Sequence, residues 1–231
     1  MTILSVLQAA CPVIGLDVPT AVMASTAREH VELAALANDM AERIAQAHDW
    51  QALKALATIT GDGITESRAL PSDYARMLTK AQLWSSSLET PLTPISDTDE
   101  WLGLDVQSSD FVVNTWTLYG GKIHIKPALA FGVTAKYFYQ SNRIVSPADG
   151  DNQAAFTADT DSFVLDDTLL RYGIIWQWRA NKGLAYQEDM TSYEMRKERL
   201  IAADKGSRMM RLGKVWLPGD AKAAYPQSIT P

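Results

Sequence analysis

The sequence predicts an α+β protein: an antiparallel helical bundle built from the two ends of the chain, an inserted antiparallel β domain, and an extended C-terminal arm. Three observations predict it. Apolar residues follow a helical period before Ala47 and again from Leu165 to Gly206. The stretch between them holds short runs with strand character, separated by glycine, proline and aspartate turns. Helices at the two ends must bury their apolar faces, and packing them on each other is the simplest solution, so the middle becomes an insertion. Residues 1–49 then start the bundle, 50–163 form the β-rich insertion, 164–206 complete the bundle as a helical hairpin, and 207–231 form the arm.

Taken in order, Thr2 to Ala10 form a short helix with Thr2 as its cap, and Pro12 and Gly15 end it. After a DVPT loop (Asp17 to Thr20), a long helix runs from about Ser25 to Ala47. Ser25 or Thr26 caps it, and Val31, Leu33, Leu36, Met40 and Ile44 form its buried stripe. Leu53 to Thr60 has strand character before a Gly61-Asp62-Gly63 turn. Pro71 forbids a central strand in SRALPSDY (Ser67 to Tyr74), and Ser72-Asp73 suits a turn or a single helical turn. Ala81 to Trp84 reads as a short strand. A helix start follows within Leu92 to Leu102, with Ser96 as cap and Trp101 and Leu102 facing inward.

The clearest β signal is Phe111 to Tyr119 and Lys122 to Lys126 across Gly120-Gly121, a two-residue hairpin turn. Ile123 and Ile125 alternate with Lys122, His124 and Lys126, which gives that strand a wet face. Val133 to Tyr139 is the next strand, and Asp149 to Asn152 a polar loop. From Leu165 the chain is helical and apolar on most sides as far as an Asn181-Lys182-Gly183 hinge. In the second helix Tyr186, Met190, Tyr193 and Leu200 mark the buried side, and Gly206 ends it.

At 231 residues with 47% hydrophobic and 21% charged content, the chain has the composition of a globular protein with ample core. A net charge of −6 argues against a dedicated nucleic-acid binder but suits a channel through which DNA slides without sticking. Seven tryptophans are many for this length and can anchor a core or subunit contacts. One cysteine, Cys11, excludes an internal disulfide framework and a Cys-rich metal site. The opening ILSVLQAAC lacks a basic residue ahead of its apolar run and reads as a helix with buried Cys11, not as an export signal. No apolar run reaches the roughly 18 residues of a membrane span.

Chemistry is sparse. His30, His48 and His124 sit in separate elements without metal-ligand spacing, and Asp149-Gly150-Asp151-Asn152 lacks the pattern of a calcium loop. There is no Walker loop, dinucleotide fingerprint, nucleophile elbow or C-x-x-C pair. No cofactor is predicted. Paired carboxylates, Glu188 with Asp189 or Asp97, Asp99 and Glu100, are the enzymatic alternative, since glycoside hydrolysis needs two carboxyls across a cleft. Each also sits where helices commonly place acids. The tail carries Arg208, Arg211, Lys214 and Lys222 against Asp220 alone, so it is basic on an acidic body. Met209, Met210, Val215, Trp216 and Leu217 give it apolar residues that gain by docking.

The run LLRYGIIWQWRANKGLAYQEDMTSYEMRKERLIAADKGSR, Leu169 to Arg208, resembles the head-to-tail adaptor (connector, or neck) proteins of tailed bacteriophages. Supporting echoes are LPSDYARM (Leu70 to Met77), EWL (Glu100 to Leu102), GGKIHIKP (Gly120 to Pro127) and AKYFYQSNRIV (Ala135 to Val145). The Trp176 to Tyr186 hinge is the most specific part. The resemblance implies a non-enzymatic virion protein, made in the host cytoplasm and located at the head-tail junction. Such adaptors assemble, typically as rings of twelve, beneath the portal protein; the next neck or tail component attaches below, and DNA passes through the continued channel. By the same resemblance the arm, Arg208, Met209, Met210, Arg211, Lys214, Val215, Trp216 and Leu217, is expected to reach the portal or a neighbouring subunit. The alternatives are a phage-associated cell-wall hydrolase using a carboxylate pair, and a tail completion or assembly factor absent from the finished particle.

Overall fold

The computed structural model describes residues 1–79, 81–88, 90–106 and 114–204. The chain is α+β, with a mostly antiparallel sheet, and it divides into two compact units. Among the described residues the first unit comprises 1–55, 73–79 and 139–204, and the second 56–72, 81–88, 90–106 and 114–138.

The first unit is built on helices α1 (Ile3–Ile14), α2 (Arg28–Gln46), α4 (Asp167–Asn181) and α5 (Gln187–Asp204). Helix α4 packs against α1, α2 and α5. Its buried residues Leu169, Leu170, Ile174 and Trp178 explain why its sequence is apolar on most sides. Leu7 of α1 and Leu33, Met40 and Ile44 of α2 join them in one core. Ile144, Val145, Phe156 and Phe163 belong to the same core. That burial draws 139–163, a stretch the sequence assigns to the insertion, to the helices. The short pair β9 (Val145–Ser146) and β10 (Ser162–Phe163) lies in this stretch.

Thr2 caps α1 and Gly15, at φ 80°, ends it, whereas Pro12 lies inside the helix and does not terminate it. The cap expected for α2 differs. The helix begins at Arg28 with Ala27 at the cap position and no side-chain cap bond. The Ser25 hydroxyl instead accepts from the Ala27 amide at 3.2 Å and meets His30 Nδ1 at 2.8 Å. Met190 of α5 is exposed, and Tyr193 is that helix's buried anchor.

The strand order of the larger sheet is β1 (Lys54–Thr60), β8 (Thr134–Ser141), β4 (Leu83–Ser85), β5 (Pro91–Pro94), β6 (Thr115–Tyr119), β7 (Lys122–Lys126) and β2 (Ser67–Ala69). β5 and β6 run parallel, and β6 and β7 form the Gly120-Gly121 hairpin in register Thr117 to His124. Helix α3 (Thr98–Val106) starts after Asp97, whose carboxylate accepts from the Asp99 amide at 2.9 Å, so Asp97 takes the role expected of Ser96. Trp101 is buried, but Leu102 points outward at 60% exposure. Lys126 is 8% exposed, not wet as the alternation predicts; its ammonium lies 4.7 Å from the centroid of the Trp101 ring.

Residues 73–79 carry β3 (Tyr74–Met77), a strand absent from the sequence-based expectation. It pairs with residues 139–141 at the end of β8. Two aspartates tie this segment into the first unit. Asp73 accepts from the Tyr139 hydroxyl at 2.6 Å and the Ser141 hydroxyl at 2.8 Å. Asp49 pairs with Arg76 and accepts from the Thr79 amide at 3.2 Å and hydroxyl at 3.1 Å.

Candidate partner-binding surface

The most specific stretch of the sequence, the hinge between α4 and α5, is held by charge as well as by turn chemistry. Gly183 adopts φ 70°, a conformation that favours glycine, and lets the chain reverse. Lys182 reaches Glu32 of α2 at 2.5 Å and lies 4.6 Å from the centroid of the Trp178 ring. Arg179 donates to the Val13 carbonyl at 2.8 Å and to Asp189 at 2.5 Å. Trp176 stands 6.4 Å from Tyr186 and 6.1 Å from Tyr193 between ring centroids. Asp166 caps α4 through the Leu169 amide at 2.6 Å and pairs with Arg196 of α5 at 2.8 Å. The hydrogen bonds from Lys182 and Arg28 hold the Glu32 carboxyl below the usual carboxylate range. These contacts tie the hinge to α1, α2 and α5.

Helix α5 leads to the predicted arm. Its last described residue, Asp204, accepts from the Gln51 amide at 3.0 Å and lies 3.5 Å from His48 Nε2. Arg208 to Leu217, the residues expected to bind a partner, lie outside the described residues.

The first unit carries a pocket of about 490 Å³. Glu42, Ala45 and Gln46 of α2 line it, together with Ala75 and Arg76 of β3 and Gln140 and Ser141 of β8. Gln140 is 2% exposed, and neither its amide nitrogen nor its amide oxygen has a hydrogen-bond partner. Leaving a buried polar atom unmatched costs about 1–3 kcal/mol. Burial raises the Asp49 carboxyl, but the bonds from Arg76 and Thr79 outweigh it and hold the group below its ordinary value. Asp73 behaves alike: burial raises it, and the Tyr139 and Ser141 hydroxyls bring it down further. No sequence signal marks this cavity. Gln140 stands in a strand among aromatic residues, and β3 reaches it only through long-range ties.

The carboxylates considered for hydrolysis are not arranged across a cleft. Glu188 is exposed, whereas Asp189 is engaged by Arg179 and lines a second cavity of about 270 Å³ with Val13, Arg171 and Tyr172. Asp97 is occupied as a helix cap, and Asp99 and Glu100 are exposed. In the second unit His124 stacks on Tyr119 at 3.7 Å, and burial pushes its imidazole pKa down. Among the described residues no cluster of three or more His, Cys, Asp or Glu side chains could hold a metal ion. No described helix is long and apolar enough to cross a membrane.

Exposed apolar residues of the first unit include Val13, Val31, Leu184, Met190 and Met195. Those of the second include Leu56, Trp84, Phe131 and Phe138. A search of curated proteins found no significant match. Among protein families, the model for the SU10 adaptor protein matches residues 1–215.

Proposed function

The chain belongs to the SU10 adaptor protein family, a phage head-to-tail adaptor family, and from that premise we propose that it is a structural virion protein that forms a ring beneath the portal. The ring, of twelve copies, links the capsid to the next neck or tail component and continues the DNA channel. The helices from the two chain ends, with 139–163 packed on them, act as its bundle, the β unit within 56–138 as the insertion, and 207–231 as an extended arm. Within the arm, Arg208, Met209, Met210, Arg211, Lys214, Val215, Trp216 and Leu217 make the contact with the portal or a neighbouring subunit.

The observation that carries this reading is a family match running through both units and into the arm. An acidic body with a basic tail supports it, because a channel component must not adsorb DNA. Electron microscopy of the recombinant protein mixed with portal particles tests it. A ring seated on the portal is expected, and Trp216→Ala with Arg211→Glu should abolish co-sedimentation. Unchanged co-sedimentation of that variant would remove the arm from the reading, and the absence of any ring would remove the architecture.

A further inference from the structure

We propose that the second unit carries both halves of a contact between copies of this chain: the loop tip bearing Ile64 and Phe131 on one copy seats on the sheet face bearing Leu56, Trp84 and Phe138 on the next. Such a contact belongs to the ring proposed above and rests on that reading. The tip is two loops tied together. The Gly61 amide donates to the Val133 carbonyl at 2.8 Å, the Gly63 amide to the Leu129 carbonyl at 2.9 Å, and the Gly132 amide to the Gly61 carbonyl at 3.1 Å. Asp62 accepts from the Ile64 amide at 3.0 Å and the Thr65 amide at 2.8 Å. The backbone is held, yet Ile64 is 85% exposed and Phe131 88%, the most exposed large apolar side chains among the described residues. Apolar anchors on loops already in place lose little freedom when they dock.

The sheet face follows from strand alternation. Ala57, Leu83 and Tyr137 are buried, so Leu56, Trp84 and Phe138 stand on the opposite, exposed side of β1, β4 and β8, consecutive strands of the sheet. Lys136 shares that side: it lies two residues before Phe138 and opposite Trp84 in the β4–β8 register. A copy does not cover this face with its own tip. Leu56 and Gly61 are separated by about 17 Å of strand, and the loops continue beyond the strand ends. A second copy fits both patches. A closed ring needs a heterologous contact, with two different patches on every chain, and this unit carries one that projects and one that is flat. Charge agrees. Glu66, exposed two residues after Ile64, and the exposed Lys136 each lack an ion-pair partner among the described residues. Residues 61–66 and 129–133 hold no lysine or arginine to oppose Lys136.

Sedimentation velocity of the full-length protein over a range of concentrations reads the contact. The wild type should associate as concentration rises. Phe131→Asp, at a side chain that stands in solvent, should weaken self-association about thirtyfold, the worth of one aromatic anchor. Phe138→Glu should do the same from the other side, and Leu56→Glu repeats that test should Phe138→Glu lower the melting temperature. Mixing is the sharper readout. Phe131→Asp keeps an intact face and Phe138→Glu an intact tip, so together they should form one-to-one pairs and nothing larger. Either variant associating as strongly as the wild type overturns the proposal, as do a mixture without pairs and a wild type that stays monomeric at about 1 mM. Loss of portal co-sedimentation by Phe131→Asp with self-association unchanged overturns it too, because the tip then serves the portal. Wild-type co-sedimentation with portal particles is measured separately, so failure of this contact and failure of the adaptor reading are told apart.

Discussion

Two glycines show how differently the two units are packed. Gly173 of α4 faces the side chain of Met40, where an added Cβ would lie 2.3 Å from Cγ and 2.7 Å from Sδ. Gly61 of the second unit faces backbone: a Cβ there would lie 2.3 Å from the Ala130 carbonyl oxygen and 2.5 Å from that of Leu129. Methionine has three rotatable bonds and can move aside. A carbonyl locked by its own hydrogen bonds cannot, and the Leu129 oxygen already accepts from the Gly63 amide at 2.9 Å. At Gly173 the helical unit can give way, and at Gly61 the β unit cannot.

The sharpest way to break that contrast is Gly61→Ala, expected to destabilise the second unit by about 3 kcal/mol or more. Denaturant unfolding followed by tryptophan fluorescence checks it, and a cost below that of Gly173→Ala would refute the contrast. Next comes Asp73→Ala, which removes the carboxylate that accepts from Tyr139 and Ser141 and should cost the first unit about 2–3 kcal/mol. Gly173→Ala should cost about 1–2 kcal/mol as Met40 shifts, with Met40→Ala recovering part of the loss in the double mutant. Thr2→Ala, which loses the cap on α1, should cost about 1 kcal/mol.

Acid sharpens the comparison in another way. Asp49 and Asp73 have folded-state pKa values below their unfolded ones, so the stability they contribute is complete above the unfolded value, about 3.9. It is lost as pH falls through the folded values. Stability of the first unit should therefore drop below about pH 4, and Asp73→Asn should flatten that slope in urea titrations. Cys11 lets the first unit be watched alone. Its thiol is buried, and burial raises its pKa. Alkylation at neutral pH should be slow in the wild type, faster in Asp73→Ala, and unchanged in Gly61→Ala if the units open separately.

Local signals carried most of the fold. Thr2, Gly15 and Gly183 each act through their immediate neighbours, and the Gly120-Gly121 hairpin carries its register with it. What stayed hidden depends on distant partners. Tyr74-Ala75-Arg76-Met77 has no strand pattern and becomes a strand because Asp49, Asp73 and β8 hold it. Pro91 to Pro94 becomes an interior strand of the sheet, with β4 on one side and β6 on the other, although two prolines argue against it locally. Lys126 reads as solvated until the Trp101 ring is found beside its ammonium. Of the candidate site, the hinge was legible in its Trp, Gly and Tyr residues, but the cavity was not, because a single glutamine in a strand carries no periodicity.

Among the described residues the chain passes from one unit to the other after Ala55, Ser72, Thr79 and Phe138. Neither unit is therefore a contiguous stretch of gene. Recombination between related phages, which trades continuous segments, cannot exchange one unit for a foreign version without also cutting the other. The two must be inherited together, and changes in either are selected against the background of its covalent companion.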